Sequence, residues 1–170
     1  MSLRLETPRL RLQPQKTSDI PFLVGLWSDP EVTRYLGGPR DPDELARTFK
    51  QAAQDPEAQA FDLWPVQQRP TGRLVGHCGL LEKEVEDRAE IELVYVIAAA
   101  EWGKGYASEI AAALRDQAFG PLGLGRLIAL IHPGNEASEK VAVRLGMHLE
   151  REIMRPSGNP RRLYALQKEW

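Results

Sequence analysis

The residues best suited to do chemistry cluster around one glycine-rich stretch, Trp102-Gly103-Lys104-Gly105-Tyr106-Ala107-Ser108. It joins a β-like apolar run to an amphipathic helical pattern. Glycines at such a junction let the backbone curl without Cβ clashes, so several N–H groups can point into one concavity. The helix macrodipole adds about half a positive charge at the same spot. Together these make an anion site suited to a phosphate or pyrophosphate. A helix start that merely needs a tight turn accounts for the same residues equally well. Two familiar phosphate motifs are excluded. No string matches the G-x4-G-K-[ST] loop, and although GKGYAS reads G-x-G-x-x-S, the residues AAAEW separate it from the strand. A dinucleotide-binding turn sits at the strand's end, and a second half of a doubly wound sheet would have to follow.

The elements that position this stretch are legible from hydrophobic periodicity. Leu3 and Leu5, then Leu10 and Leu12, are each spaced by two, which predicts a first strand over 3–12. Ile20, Leu23, Val24 and Trp27 form a helical stripe opened by Ser18 or Asp19. Asp41-Pro42-Asp43-Glu44 is a strong helix start, with Leu45, Phe49, Ala52 and Ala53 as its buried stripe. FDLWPV (61–66), RLVGHCGLL (73–81) and EIELVYVI (90–97) predict an antiparallel meander, with Pro65 pushing the first run towards an edge or a bulge. After the glycine turn comes a helix with Ala107, Ile110, Ala111, Leu114 and Ala118 on its apolar face, then the strand RLIALIH (126–132). Strand–helix–strand implies one parallel, right-handed crossover. A second helix spans about 136–145 and stops at Gly146, and 147–167 reads as a hairpin turned by PSGNP. The expected class is α+β: one layer of sheet with helices on both faces, in a single domain over 1–170.

Composition bounds the function. With 42% hydrophobic and 27% charged residues, the 170-residue chain is an ordinary globular protein rather than a disordered one. No run approaches the ~18 apolar residues of a membrane span, and the charges in MSLRLETPRL leave no apolar signal-peptide core. Cytoplasm is the expected compartment. A lone cysteine, Cys78, excludes an internal disulfide and a cysteine-built zinc site, and no HExxH or Cys/His cluster suggests another metal. The net charge of −2 and pI near 6.0 argue against a protein built to grip nucleic acid. Arg151, Arg155, Arg161 and Arg162 form the one basic cluster, read either as a solvated hairpin or as a local basic patch.

The string EIELVYVIAAAEWGKGYASEIAAALRD resembles the acyl-CoA signature of GNAT acetyltransferases, [QR]-x-x-G-x-[GA], with Trp102 in the Gln/Arg place, then Gly105 and Ala107. NEASEKVAVRLGM is similar to the family's N-x-x-[AS]-…-G-[FM] segment. LETPRLRLQPQKTSDIPFLVGLWSDPEVTRYL resembles the opening of one branch, the ribosomal-protein serine/alanine N-terminal acetyltransferases. The resemblance covers nearly the whole chain in the right order.

It implies a largely antiparallel, twisted sheet of about seven strands with one parallel, splayed pair, and acetyl-CoA as cosubstrate without a metal. The pantetheine would lie between the strands at 90–97 and 126–132, against backbone groups of Tyr95, Val96 and Ile97. The pyrophosphate would rest on amides from Trp102, Gly103, Lys104, Gly105, Tyr106, Ala107 and Ser108. An N–H near Ile97 would polarise the thioester. Many members carry a proton-donating tyrosine where this chain has Ala142, and in the ribosomal branch a serine corresponding to Ser138 is thought to serve instead. Asn135 would hydrogen-bond the pantetheine, or simply cap its helix. Glu92 is the expected base. Strand alternation puts Glu90, Glu92, Val94 and Val96 on one face unless a bulge breaks the parity, and a solvated carboxylate is the rival reading. His77, Cys78 and His132 are read as packing residues, and Trp27 and Tyr35 flank the loop that lines the acceptor side in relatives. The expected reaction is direct acetyl transfer to a primary amine, either a protein N-terminus, ribosomal or other, or a small molecule. A non-catalytic acyl-CoA sensor is the reading from another class. Neither nucleic acid nor membrane is an expected partner, and the chain is expected as a monomer or homodimer.

Overall fold

The computed structural model describes residues 4–169. Strands β1 (Leu5–Glu6), β2 (Leu10–Leu12), β3 (Leu63–Gln68), β4 (Leu74–Val85), β5 (Arg88–Ile97), β6 (Arg126–Ile131), β7 (His148–Met154) and β8 (Pro160–Gln167) make one sheet. Their order is β1-β2-β3-β4-β5-β6-β8-β7. Every pairing is antiparallel except β5–β6. Helices α1 (Ile20–Ser28) and α2 (Pro42–Ala52) precede β3, α3 (Tyr106–Phe119) is the β5–β6 crossover, and α4 (Glu136–Arg144) follows β6. The α+β class and the single parallel pair agree with expectation.

The strand predicted over 3–12 is two short strands folded back on each other, Leu5 opposite Leu12, which brings the described sheet to eight strands. Leu3 lies outside the described residues. The break falls at Thr7, whose hydroxyl accepts from Leu10 N–H and donates to Glu109 on α3 at 2.6 Å. Spacing by two carries no information about such a reversal. β4 and β5 run to Val85 and from Arg88, well past their apolar runs, because Glu82 to Glu84 still alternate across the pleat. Their two-residue turn holds Glu86 and Asp87 at φ 49° and 63°, the left-handed geometry of a tight hairpin. Pro65 lies inside the sheet, beside a register shift between Val66 and Gln67 rather than at an edge. β2 stops opposite Val66, so the missing Pro65 N–H breaks no ladder bond there.

The helices start where their caps dictate. Asp41 accepts from Asp43 N–H at 2.7 Å and Glu44 N–H at 3.2 Å, with Pro42 next to it. α1 buries Leu23 and Leu26, so its stripe includes a leucine that the i, i+3, i+4, i+7 template left out. Alternation then divides the sheet into two faces. α3 and α4 bury Ile110, Leu114, Val141 and Ala142 against Leu93, Leu127 and Ala129. On the other face, Leu26 and Val32 pack against Val96. Fully burying one such leucine or isoleucine is worth about 1.5–3 kcal/mol.

β3 and β4 approach closely enough to require glycine at position 79, where an added Cβ would lie 2.1 Å from Asp62 O. Gly25 on α1 has nothing within 4 Å of its would-be Cβ. Two alanine substitutions therefore have opposite signs. Overpacking of this kind costs about 1–3 kcal/mol, so Gly79→Ala should lower Tm by about 2–12 °C for a chain of this size. Gly25→Ala removes the helical glycine penalty of about 0.5–1 kcal/mol and should raise Tm by a few degrees. Calorimetric scans showing the same sign for both would contradict this packing.

Candidate active site

β5 and β6 pair at one register position, Glu92 opposite Ile128, and then part. On its other side β5 pairs with β4 without interruption, from Arg88 opposite Val85 to Ile97 opposite Gly76. Ala98 N–H donates to Val75 O at 2.9 Å. Backbone direction alternates along a strand, so beyond the single bridge the N–H and C=O groups of Tyr95 and Ile97 face the gap, while those of Val94 and Val96 face β4. Trp102 Nε1 donates to the Ile97 carbonyl at 2.8 Å, which occupies that acceptor and leaves the Ile97 N–H pointing into the gap. The Trp102 ring itself is about half exposed, at 49%.

The gap ends at the glycine turn. Gly103 (φ 78°) and Gly105 (φ 80°) both occupy the left-handed region, where a Cβ would be strained. Gly105 is the N-cap of α3 and offers no side chain, so the N–H groups of Tyr106, Ala107 and Ser108 have no capping side chain. Buried Glu101, just upstream, receives a hydrogen bond from Lys104 Nζ at 2.7 Å and pairs with Arg73. The Lys104 hydrogen bond leads the interactions that hold this carboxyl below the usual range. The Lys104 ammonium is thus held by Glu101, and the turn's positive potential comes from backbone amides. Arg9 lies over the Tyr106 ring and pairs with Glu109 at 2.8 Å, which braces the first turn of α3.

Across the gap, Asn135 Oδ1 accepts from Ser138 N–H at 3.2 Å and caps α4. Ser138 Oγ lies 3.1 Å from Tyr95 Oη, and Tyr95 donates to the Ser138 carbonyl at 2.8 Å. Burial pushes the Tyr95 phenol up to about 12, so it remains a neutral donor. Ala142, one turn further along α4, is fully buried.

Glu92 lies on the opposite face, and no register shift interrupts β4–β5, so the predicted parity of Glu90, Glu92, Val94 and Val96 holds. Glu92 is 9% exposed, with Lys83 Nζ at 3.6 Å. Burial raises its pKa, and Lys83 in part opposes that. A carboxyl so placed accepts a proton more readily than a solvated one. The Tyr35 ring, from the α1–α2 loop, packs on His132 with centroids 5.1 Å apart. Trp27 Nε1 donates to His77 Nδ1 at 2.9 Å, and burial pulls His77 down to about 4. His77 is therefore neutral. Cys78 is fully buried with its thiol pushed up to about 12, which makes it unreactive. Among the described residues no group of three or more His, Cys, Asp or Glu could hold a metal, and no helix is long and apolar enough to cross a membrane.

The structure thus brings Tyr95, Ile97, Trp102, the 103–108 turn, Asn135 and Ser138 to the edges of one gap, with Glu92 on the face opposite α3 and α4. Sequence reading missed the Tyr95 phenol, because only the crossover shows that it reaches α4. It also missed Lys83, whose proximity to Glu92 requires the β4–β5 register.

The chain matches the family pattern described as Acetyltransferase (GNAT) domain over residues 9–148. It is 35% identical over 150 residues to p20 of Bacillus licheniformis, described as an uncharacterized N-acetyltransferase, covering 86% of this chain and 83% of that one. The crystal structure of a GNAT-family acetyltransferase from Bacillus anthracis superposes with TM-score 0.82 at 25% identity, over 97% of this chain and 98% of that one. The ribosomal-protein-S5-alanine acetyltransferase of Vibrio fischeri shares the fold, with TM-score 0.74 at 17% identity over 97% and 96% of the two chains. The chain belongs to the GNAT acetyltransferase family and is an N-acetyltransferase.

Proposed function

We propose that the enzyme transfers acetyl from acetyl-CoA to the α-amine of a protein or peptide N-terminus, by direct attack within a ternary complex. The observation that carries this reading is the gap beyond Glu92–Ile128, lined by free backbone groups of β5 and ending on an uncapped helix. An extended pantetheine would complete the interrupted ladder at Tyr95 and Ile97, and the pyrophosphate would rest on the amides of residues 103–108. Acetyl-CoA supplies the activated acyl group. The Ile97 N–H meets the charge that builds on the acyl oxygen, Glu92 takes the amine proton directly or through water, and Ser138 donates to the departing sulfur.

Energetics favour an α-amine as acceptor. Removing a proton at pH 7 costs about 4.6 kcal/mol for a lysine amine of pKa ~10.4, and about 1.1 kcal/mol for an α-amine near 7.8. One partly neutralised carboxylate suffices for the second. The cations near Glu92, starting with Lys83, would repel a polyamine. The resemblance of residues 3–36 to the ribosomal branch, and the fold shared with the Vibrio fischeri enzyme, favour a small first residue such as Ser or Ala.

The cofactor reading is tested by thermal shift. At a hundredfold excess over Kd, acetyl-CoA should stabilise the chain by about 2.7 kcal/mol, or roughly 5–10 °C in Tm. Gly105→Val should abolish that shift, because a β-branched residue disfavours φ near 80°. A shift with NAD or ATP, and none with acetyl-CoA, would reject the assignment.

For Ser138, a hydrogen bond to a charged group is worth about 1.5–3 kcal/mol, so Ser138→Ala should lower kcat by roughly 10- to 150-fold. The acetyl-CoA Kd should hold steady, since this contact strengthens only as charge builds on sulfur. Tyr95→Phe should cost less in kcat, and the reverse order would move the donor role to Tyr95.

Glu92→Gln should lower kcat/KM for the amine about 10²- to 10⁴-fold. Wild-type kcat/KM should fall below an apparent pKa higher than that of an ordinary glutamate, since burial raises that of Glu92 and the base must be ionised. An unchanged pH profile in the variant would remove Glu92 from the mechanism.

A further inference from the structure

The four hairpin arginines divide into two pairs. Arg151 and Arg162 are committed to carboxylates, Arg151 to Glu86 at 3.1 Å and Glu150 at 2.7 Å, and Arg162 to Glu139 at 2.8 Å and Glu152 at 3.2 Å. Arg155 and Arg161 make no ion pair within 4.0 Å among the described residues, and Arg161 Nη1 donates to the adjacent Pro160 carbonyl at 2.8 Å.

Strand register says where the second pair points. Leu163 and Ala165 of β8 pack with Ile128 and Ile153 on one face of the sheet. Arg161, two residues before Leu163 and opposite Ile153, shares that face, and Arg155 follows Ile153 by two. Glu92 stands opposite Ile128 and therefore faces the same way. The three groups also influence one another's charge. Arg155 helps to lower Glu92, while Arg161 is pushed down by burial and by Arg155 and drawn up by Glu92. Lys83 from β4, Arg155 and Arg161 thus share the face of one carboxylate, with Lys83 alone among the described residues within 4.0 Å of it, and positive charge is in excess there. The neighbouring Glu90 is already neutralised by Arg126 at 3.0 Å. Neither hairpin arginine can serve the phosphate cradle, because α3 packs on the other face. Glu92 offsets one of these cations, and the charge left over suits a ligand of opposite sign.

The geometry points to an acceptor that carries a carboxylate near its reactive amine, with the carboxylate held by Arg155 and Arg161 while the amine faces Glu92. Planar guanidiniums pair with a carboxylate in two parallel hydrogen bonds, which also fixes the orientation of the amine. The carboxylate has two possible sources: an acidic side chain at the second or third position of a peptide, or the α-carboxylate of a free amino acid. The inference rests on the acetyl-transfer reading and deepens its acceptor class.

The experiment compares kcat/KM for C-terminally amidated peptides Ser-Asp-Asp-Ala and Ser-Asn-Asn-Ala, for free aspartate and for aspartic diamide. The wild-type enzyme should prefer the acid of a pair by about 10- to 150-fold, the worth of a charge-assisted hydrogen bond. The pair that shows the preference identifies the source. Arg155→Gln/Arg161→Gln should bring the ratio close to one, whereas Arg162→Gln, on the same hairpin but facing away, should keep it. Equal rates for both members of each pair, a ratio retained by the double variant, or a stronger preference for a phosphoserine peptide would overturn the proposal. Calorimetric binding of the same peptides to the CoA-saturated protein gives a reading independent of turnover. Acid-selective binding lost in the double variant, without acetylation of any peptide, would leave the anion site standing while the acetyl-transfer assignment fell. Binding that ignores the acid would remove the anion site whatever the turnover.

Discussion

The structure turns on an interrupted ladder. A strand inside a sheet normally satisfies its backbone on both sides, and unpaired buried N–H and C=O groups are costly. β5 is fully paired to β4 yet meets β6 at one position only. Both flanks of the gap are held firmly: β4–β5 runs without a register shift, and β6 pairs with β8 along its whole length. The gap is therefore a fixed shape that water or an extended ligand must fill. What surrounds it can be understood as management of that shape. Trp102 covers one exposed carbonyl, Tyr95 ties β5 to the first turn of α4, and α3 begins where the gap ends.

The two faces of the sheet use different electrostatics. At the start of α3 the potential is built from neutral amides and a helix dipole, and the nearby cations Lys104 and Arg73 are tied to Glu101. Such a site needs little rearrangement when an anion arrives, because its dipoles are already oriented by the fold. On the Glu92 face the potential comes from formal charges on side chains, around a carboxyl whose burial opposes ionisation. A charge-rich surface there is sensitive to the ligand and to ionic strength in a way that the backbone cradle is not. On the proposed mechanism, holding a phosphate and activating an amine place different demands on charge, and the two faces of the sheet would keep those demands apart.

Much of this was readable in the sequence, for identifiable reasons. Asp41-Pro42, Gly105 and Gly146 mark helix ends through local chemistry, so the ends of α2, α3 and α4 fell close to expectation, although the expected stripe of α2 (Leu45, Phe49, Ala52 and Ala53) is only half-buried. The parity of Glu90, Glu92, Val94 and Val96 follows from a strand period of two, and it survived because no bulge intervenes. Local pattern could not show where the chain doubles back at Thr7, since the anchoring partner, Glu109, lies far away in sequence. Nor could it rank the hairpin arginines. Arg151, Arg155, Arg161 and Arg162 look alike as residues: register turns only Arg162 to the other face, and ion pairs with Glu86 and Glu150 are what set Arg151 apart from Arg155 and Arg161. The glycine turn is a local feature of the sequence, whereas the surroundings of Glu92 are assembled from β4, β5, β7 and β8.

The resemblance places Ala142 where many family members carry a tyrosine, which raises the question of whether this chain can still carry out the family's chemistry. Ala142 is fully buried, so a larger residue there would have to displace packed neighbours on α3 or the sheet. A hydroxyl is nonetheless present at the start of α4. Ser138 supplies one, and Tyr95, arriving from the strand rather than the helix, places its oxygen 3.1 Å away. A thiol of pKa about 8.5 leaves as a reasonably stable thiolate, so the departing sulfur needs a hydrogen-bond donor more than a strong acid. Burial keeps the Tyr95 proton in place, which would disqualify the phenol as an acid and suits it as a donor or as the group that orients Ser138. On the proposed mechanism, the function that relatives assign to a helix tyrosine is met here by a pair of hydroxyls brought together across the gap. The missing tyrosine is then no argument for an inactive cofactor-binding module, because what the leaving group requires is a donor in position, whichever element delivers it.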